Sequence, residues 1–124
     1  IIEGKSDTAY EQEPKSALVQ VGSATSKDQL RSVIKRFNKT KKPALGLYIA
    51  KKYYEQGDYE ESYNYAKETY KLNPNIEDGV LLYSQLLAKL GKNDIAVSKL
   101  NTYINKSGSV KAKILLSEIK KGNF

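Results

Sequence analysis

The stretch PALGLYIAKKYYEQGDYEESYNYAKETYKLNPN, residues 43–75, reads as two helices joined by a tight turn at Gly57-Asp58. Pro43 suits the first turn of a helix, where its missing N–H costs nothing. Gly57 closes that helix, because glycine takes the left-handed conformation of a helix end without a steric penalty. Asp58 caps the next helix, with Glu61 three residues on as its capping-box partner. Pro74 prevents continuation beyond Leu72. The chain from Glu77 onward repeats this layout 34 residues later: Gly57 falls on Gly91, Ser62 on Ala96 and Tyr53 on Leu87. This second copy runs from a cap at Asn75 to about Leu90, then from a cap at Asn93 to about Asn105. Ser107-Gly108-Ser109 forms a turn, and a last helix spans 110–121, with Ile114, Leu115 and Ile119 expected inward.

The period and the residues at it resemble the tetratricopeptide repeat, whose signature runs W-x2-L-G-x2-Y, then A-x3-F, then P. The first copy matches as Gly46-x2-Ile49-Ala50-x2-Tyr53, Ser62-x3-Ala66 and Pro74. The second reads Val80-x2-Tyr83-Ser84-x2-Leu87, then Ala96-x3-Leu100, with Gly108 where the proline would stand. No Trp is present, and Ala66 and Thr69 depart from the pattern. The resemblance covers roughly the last two thirds of the chain and implies an all-α solenoid of about six antiparallel helices. A repeat protein of this kind builds its core as a strip between neighbouring layers. Small Ala50, Ser62, Ala66, Ser84 and Ala96 are expected where helices come close. Tyr53, Tyr59, Leu72, Tyr83, Leu87 and Leu100 are expected to fill the space between layers.

Outside the repeats, residues 1–25 carry Gly4, Pro14 and Gly22 and show no helical period, so they read as a tail. Within it, Ala17–Val21 is either a strand-like segment lying on the domain or part of a disordered linker. Ser26–Lys39 is the first helix, opened by a Ser26-x-x-Gln29 capping box. Leu30, Val33, Ile34 and Phe37 give it one apolar face, suited to capping the first helix pair. The domain division expected is therefore a tail at 1–25 and a helical domain at 26–124, made of an end helix (26–39), repeats at 43–75 and 76–108, and a terminal helix (109–124).

Composition excludes several chemistries. There is no Cys and no His, which removes disulfides, thiol nucleophiles, Ser-His-Asp triads and zinc sites built on those ligands. No P-loop, dinucleotide fingerprint or EF-hand loop is present, and no cofactor is expected. The acids at Glu55, Asp58, Glu60, Glu61, Glu77 and Asp78 lie at turns and helix starts, where they favour the N-terminal dipole. No catalytic residue is assigned. With no Met, the chain is expected to be a processed or excised piece. No apolar run approaches the length of a membrane span.

Two binding surfaces are candidates. In the tetratricopeptide family the first helices of successive repeats line a concave groove for a partner peptide. The matching positions here are Leu47, Lys51 and Tyr54, then Asp78, Leu81, Gln85 and Ala88, then Ala112, Leu116 and Ile119. This mixture differs from the basic, Asn-rich set that grips chaperone C-termini, and points to a greasier peptide or helix; the alternative is a groove filled by the protein itself, by residues 17–21 or by a second copy of the chain. The other surface is basic. Lys and Arg number 21 against 14 acids, a net charge of +7. Lys27, Arg31, Lys35, Arg36, Lys39, Lys41 and Lys42 face Asp28 alone across residues 27–42. Lys35, Arg36, Lys39 and Lys42 are the candidate phosphate contacts for nucleic acid; the alternative is a solvated face in a Lys-rich chain. The tyrosines between Tyr48 and Tyr70 read either as core packing or as a stacking platform. The stretch from Leu100 to Phe124 resembles small bacterial proteins of this repeat class that serve envelope, pilus or DNA-uptake assembly. That likeness implies the cytoplasm or periplasm, for a free chain or for a piece cut from a longer membrane-anchored one.

Overall fold

A computed structural model describes residues 25–124, and the strand-like candidate at 17–21 lies outside them. All regular structure among the described residues is α-helical. The six helices are α1 (Ser26–Thr40), α2 (Pro43–Glu55), α3 (Tyr59–Leu72), α4 (Glu77–Lys89), α5 (Asn93–Ser107) and α6 (Val110–Lys120). The chain divides into two compact units, residues 1–32 and 33–124, with the division falling inside α1.

The first unit is described only from Thr25 to Ser32. Its helix start differs from the expected one: Thr25, not Ser26, carries the cap. Thr25 Oγ1 accepts from the Asp28 N–H at 3.1 Å and donates to Asp28 Oδ2 at 2.9 Å. Two overlapping boxes compete here, and an ionised carboxylate accepts more strongly than the Gln29 amide would.

In the second unit the helices pack in a regular order: α2 against α3, α4 against α5, and each pair against the helix that follows. The turn at the end of α2 explains the order. Gly57 has φ +80°, and the Asp58 N–H reaches back to the Tyr53 carbonyl at 2.9 Å. This is a Schellman closure, which needs a residue without a Cβ penalty at the left-handed position. The same closure follows α4, from the Lys92 N–H to the Leu87 carbonyl (2.7 Å), and α6, from the Asn123 N–H to the Glu118 carbonyl (3.1 Å). Because the closure uses the Lys92 N–H, α5 is preceded by Lys92, and Asn93 is its first residue rather than its cap. Before α4 the expected Asn75 cap is likewise absent. Ile76 precedes the helix, and Asn73 Oδ1 accepts from the Asn75 N–H instead.

The small residues sit where expected. Ala50, Ser62, Ala66, Ser84 and Ala96 are fully buried. The two copies solve the same contact differently. In the first, Ser62 Oγ donates to the Ala50 carbonyl at 2.7 Å. In the second, the hydroxyl has changed sides: Ala96 replaces Ser62 and Ser84 replaces Ala50, and Ser84 Oγ is buried with no hydrogen-bond partner among the described residues. Between the layers, Tyr83 lies against Tyr63 and Tyr70, with ring centroids 5.9 and 5.0 Å away. Burial, then the neighbouring Tyr63 and Tyr70, push the Tyr83 hydroxyl up to about 12. Leu87 and Leu100 are buried as expected, but Tyr59 and Leu72 are exposed. They stand at the two ends of α3. Ile114 also points outward. The buried stripe of α6 is Ala112, Leu115 and Ile119, and Ile114 lies about 200° around the helix from Ala112.

The half of α1 within this unit packs through Phe37, which is fully buried and meets Tyr65 at 6.0 Å. Gly46 makes that approach possible. A Cβ there would lie 2.9 Å from Phe37 Cε1 and closer still to Thr69 Oγ1. Lys41, with φ +52°, turns the chain between α1 and α2, and its ammonium holds Glu68 Oε2 at 2.7 Å.

Candidate functional site

The face assigned to partner binding is built from α2, α4 and α6. Its polar residues meet: Lys51 Nζ lies 3.2 Å from Asp78 Oδ2, joining α2 to α4. Both side chains are about half exposed, so the pair sits at the surface, where such bonds contribute at most about 1 kcal/mol. Leu47 and Leu81 are half-buried, each resting one side on the core, and Gln85 is partly open. Leu116 also rests on the core, on the flank of α6 next to its buried stripe. Ala112 is fully buried, and so, almost completely, are Ala88 and Ile119. These three are core residues and offer no surface to a partner. For Ala112 and Ile119 the reason is the connection before α6: residues 108–109 replace the longer link at 73–76, so α6 sits at a different rotation from the one a 34-residue register implies.

Tyr54 is engaged within the protein. Its ring lies 5.1 Å from Tyr59, and the Lys89 ammonium stands 5.9 Å from Tyr54, 5.0 Å from Tyr59 and 6.0 Å from Phe124. A cation among aromatic faces is stabilised by their quadrupoles. The grouping was not read from the sequence, since its members are far apart in the chain and no local pattern links them. Tyr53 stacks on Tyr65 at 5.8 Å and 18°. Burial raises the pKa of both hydroxyls, with Glu61 and Asp58 adding to Tyr53, and Tyr53, Glu61 and Glu68 to Tyr65.

On the basic surface, Lys35, Arg36, Lys39 and Lys42 are all exposed, and none has an acidic partner within 4.0 Å among the described residues. Lys41 differs, being tied to Glu68 and held 4.8 Å from the Phe37 ring. No group of three or more carboxylates suited to a metal ion occurs among the described residues. The acids serve the helices: Asp58 accepts from the Glu61 N–H at 3.3 Å, and Glu55 pairs with Lys52 at 3.5 Å. Comparison with protein-family models, with curated proteins and with solved structures finds no match.

Proposed function

We propose that the chain is a tetratricopeptide-type module that works without catalysis, holding a peptide or helix of another protein along the face formed by α2 and α4. One observation carries the reading. The first helices of successive layers stand side by side, joined by Lys51–Asp78, and each leaves a leucine, Leu47 or Leu81, partly open beside that pair. A partly open apolar row flanked by fixed polar groups fits a ligand that buries side chains at intervals and is oriented by hydrogen bonds. The 34-residue period and the repeated closure at Gly57 and Gly91 support the repeat class.

The test is Leu81→Glu, with capture and cross-linking from the native cell as the readout. The variant is expected to keep its helical circular dichroism and lose the captured partner. Unfolding would make Leu81 a core residue, and retained capture would place binding elsewhere. A second reading, phosphate binding by Lys35, Arg36, Lys39 and Lys42, is favoured by their exposure and by the lack of acidic partners among the described residues. Salt separates the two: phosphate binding weakens steeply as salt rises, whereas binding by an apolar row changes little.

A further inference from the structure

The outer side of α6 carries two large apolar side chains open to solvent. Val110 is 67% exposed and Ile114 58%, the two most open large apolar residues among those described. Their position has a counterpart one layer earlier. The buried stripe of α4 includes Gly79, Leu82 and Leu86, and that of α6 is Ala112, Leu115 and Ile119, both spaced i, i+3, i+7. Superposing the stripes puts Val110 and Ile114 where α4 carries Glu77 and Leu81, two residues before and two after the first stripe residue. That flank of α4 is where α6 lies. Glu77 Oε1 accepts from Ser109 Oγ, which also caps α6 by accepting from the Ala112 N–H. Leu81 lies one turn further along the same flank of α4 and is half-buried.

Val110 and Ile114 thus present to solvent the flank that, one layer earlier, receives the next helix. The surrounding charge says what kind. Lys111, Lys113, Lys120 and Lys121 belong to α6 and its end, and none has an acidic partner within 4.0 Å among the described residues. The one acid of α6, Glu118, accepts from the Asn123 side chain. A second copy docking this same side onto itself would bring lysines against lysines, which is repulsive.

We propose that this side of α6 docks an acidic amphipathic helix from another molecule, with apolar residues over Val110 and Ile114 and carboxylates toward the flanking lysines. Ile114 stands on α6 where Leu81 stands on α4, so the site adjoins the α2–α4 face, but it is argued from the exposure and charge of α6 alone and does not rest on the reading of that face. The probe is a fluorescein-labelled helical peptide with leucines at i and i+4 flanked by glutamates, compared with a lysine-flanked twin. The glutamate peptide binds, the twin does not, and amide shifts centre on residues 110–121. The double variant Val110→Ser/Ile114→Gln stays folded and weakens binding by about tenfold or more. Equal binding of both peptides, no binding of the glutamate peptide, or shifts centred on Leu47 and Leu81 would each overturn the proposal. So would unfolding of the Ile114→Gln single variant, which would make that residue core. A self-association seen in sedimentation and lost in the double variant would overturn it in favour of a second copy.

Discussion

Replacing Gly46 with alanine sets two effects of known size against each other. In a helix interior, glycine to alanine gains about 1 kcal/mol from propensity. At Gly46 the new methyl would stand 2.9 and 3.1 Å from two Phe37 ring carbons and in steric overlap with Thr69 Oγ1. Neither neighbour can yield easily: both are fully buried, and the Thr69 hydroxyl donates to the Tyr65 carbonyl at 2.8 Å. Overpacking of this kind costs roughly 1–3 kcal/mol, and two blocked neighbours put it near the top of that range. The net expectation is a loss of about 2 kcal/mol. Gly79 is the control, because its added methyl would meet nothing nearer than Ile76 Cβ at 3.7 Å. Gly79→Ala should therefore stabilise by roughly 0.5–1 kcal/mol. Urea unfolding followed by circular dichroism reads both, as midpoint shifts of opposite sign at constant m-value. Thermal midpoints should differ by something on the order of 10–20 °C. Adding Thr69→Ala to Gly46→Ala should recover part of the loss, since it removes the nearest obstacle. A Gly46→Ala protein as stable as the parent would refute the close approach of Phe37 and Thr69 to α2.

Ser84→Ala removes a buried hydroxyl that has no partner among the described residues, so denaturant unfolding should show no loss and up to about 1 kcal/mol of gain. Ser62→Ala, whose hydroxyl is used, should cost about 1 kcal/mol in the same assay. Tyr83 gives a pH dependence. Its pKa is higher folded than unfolded, so its contribution is complete below pH 10 and is lost as pH rises towards about 12. Thermal melts between pH 9 and 12 should therefore fall less steeply for Tyr83→Phe than for the parent, by up to roughly 3 kcal/mol at the alkaline end. Replacing Lys35, Arg36, Lys39 and Lys42 with Gln should leave the melting curve nearly unchanged, because all four are exposed. A large destabilisation would show that the surface is structural.

The helices were legible because their boundaries rest on local chemistry. Pro43, Gly57, Asp58, Pro74 and Gly91 each restrict a few backbone angles, and the 34-residue spacing carries the pattern from one copy to the next. What depends on helix rotation was not legible. Ile114 was expected inward and Ala112 in the groove because a fixed period was carried through to the last helix. The short link at Gly108-Ser109 changes that rotation, and only the buried stripe at Ala112, Leu115 and Ile119 discloses it. Caps were misplaced by one residue at Ser26, Asn75 and Asn93, where neighbouring donors and acceptors compete within a single turn. Of the face assigned to a partner, the adjacency of Lys51 and Asp78 follows from the repeat register. The capture of Tyr54 by Lys89 needs a contact between residues 35 apart, which no local rule supplies.

The contacts joining one layer to the next are not interchangeable, although the turns within the layers are. Counting 34 residues along, Lys51 becomes Gln85, and counting back, Asp78 becomes Ala44, so the ion pair can form at only one junction. The tyrosine shelf under Tyr83 likewise gives way to aliphatic Val97 and Ile104 under the last helix, both resting on the core. Each junction thus carries its own address. Arrays of similar units are prone to pairing with the wrong neighbour or with another chain's copy during folding. Here a misplaced layer would leave Lys51 without its carboxylate and Tyr83 on a shelf of the wrong shape, so the side chains favour the sequence order of the layers where the shared backbone does not.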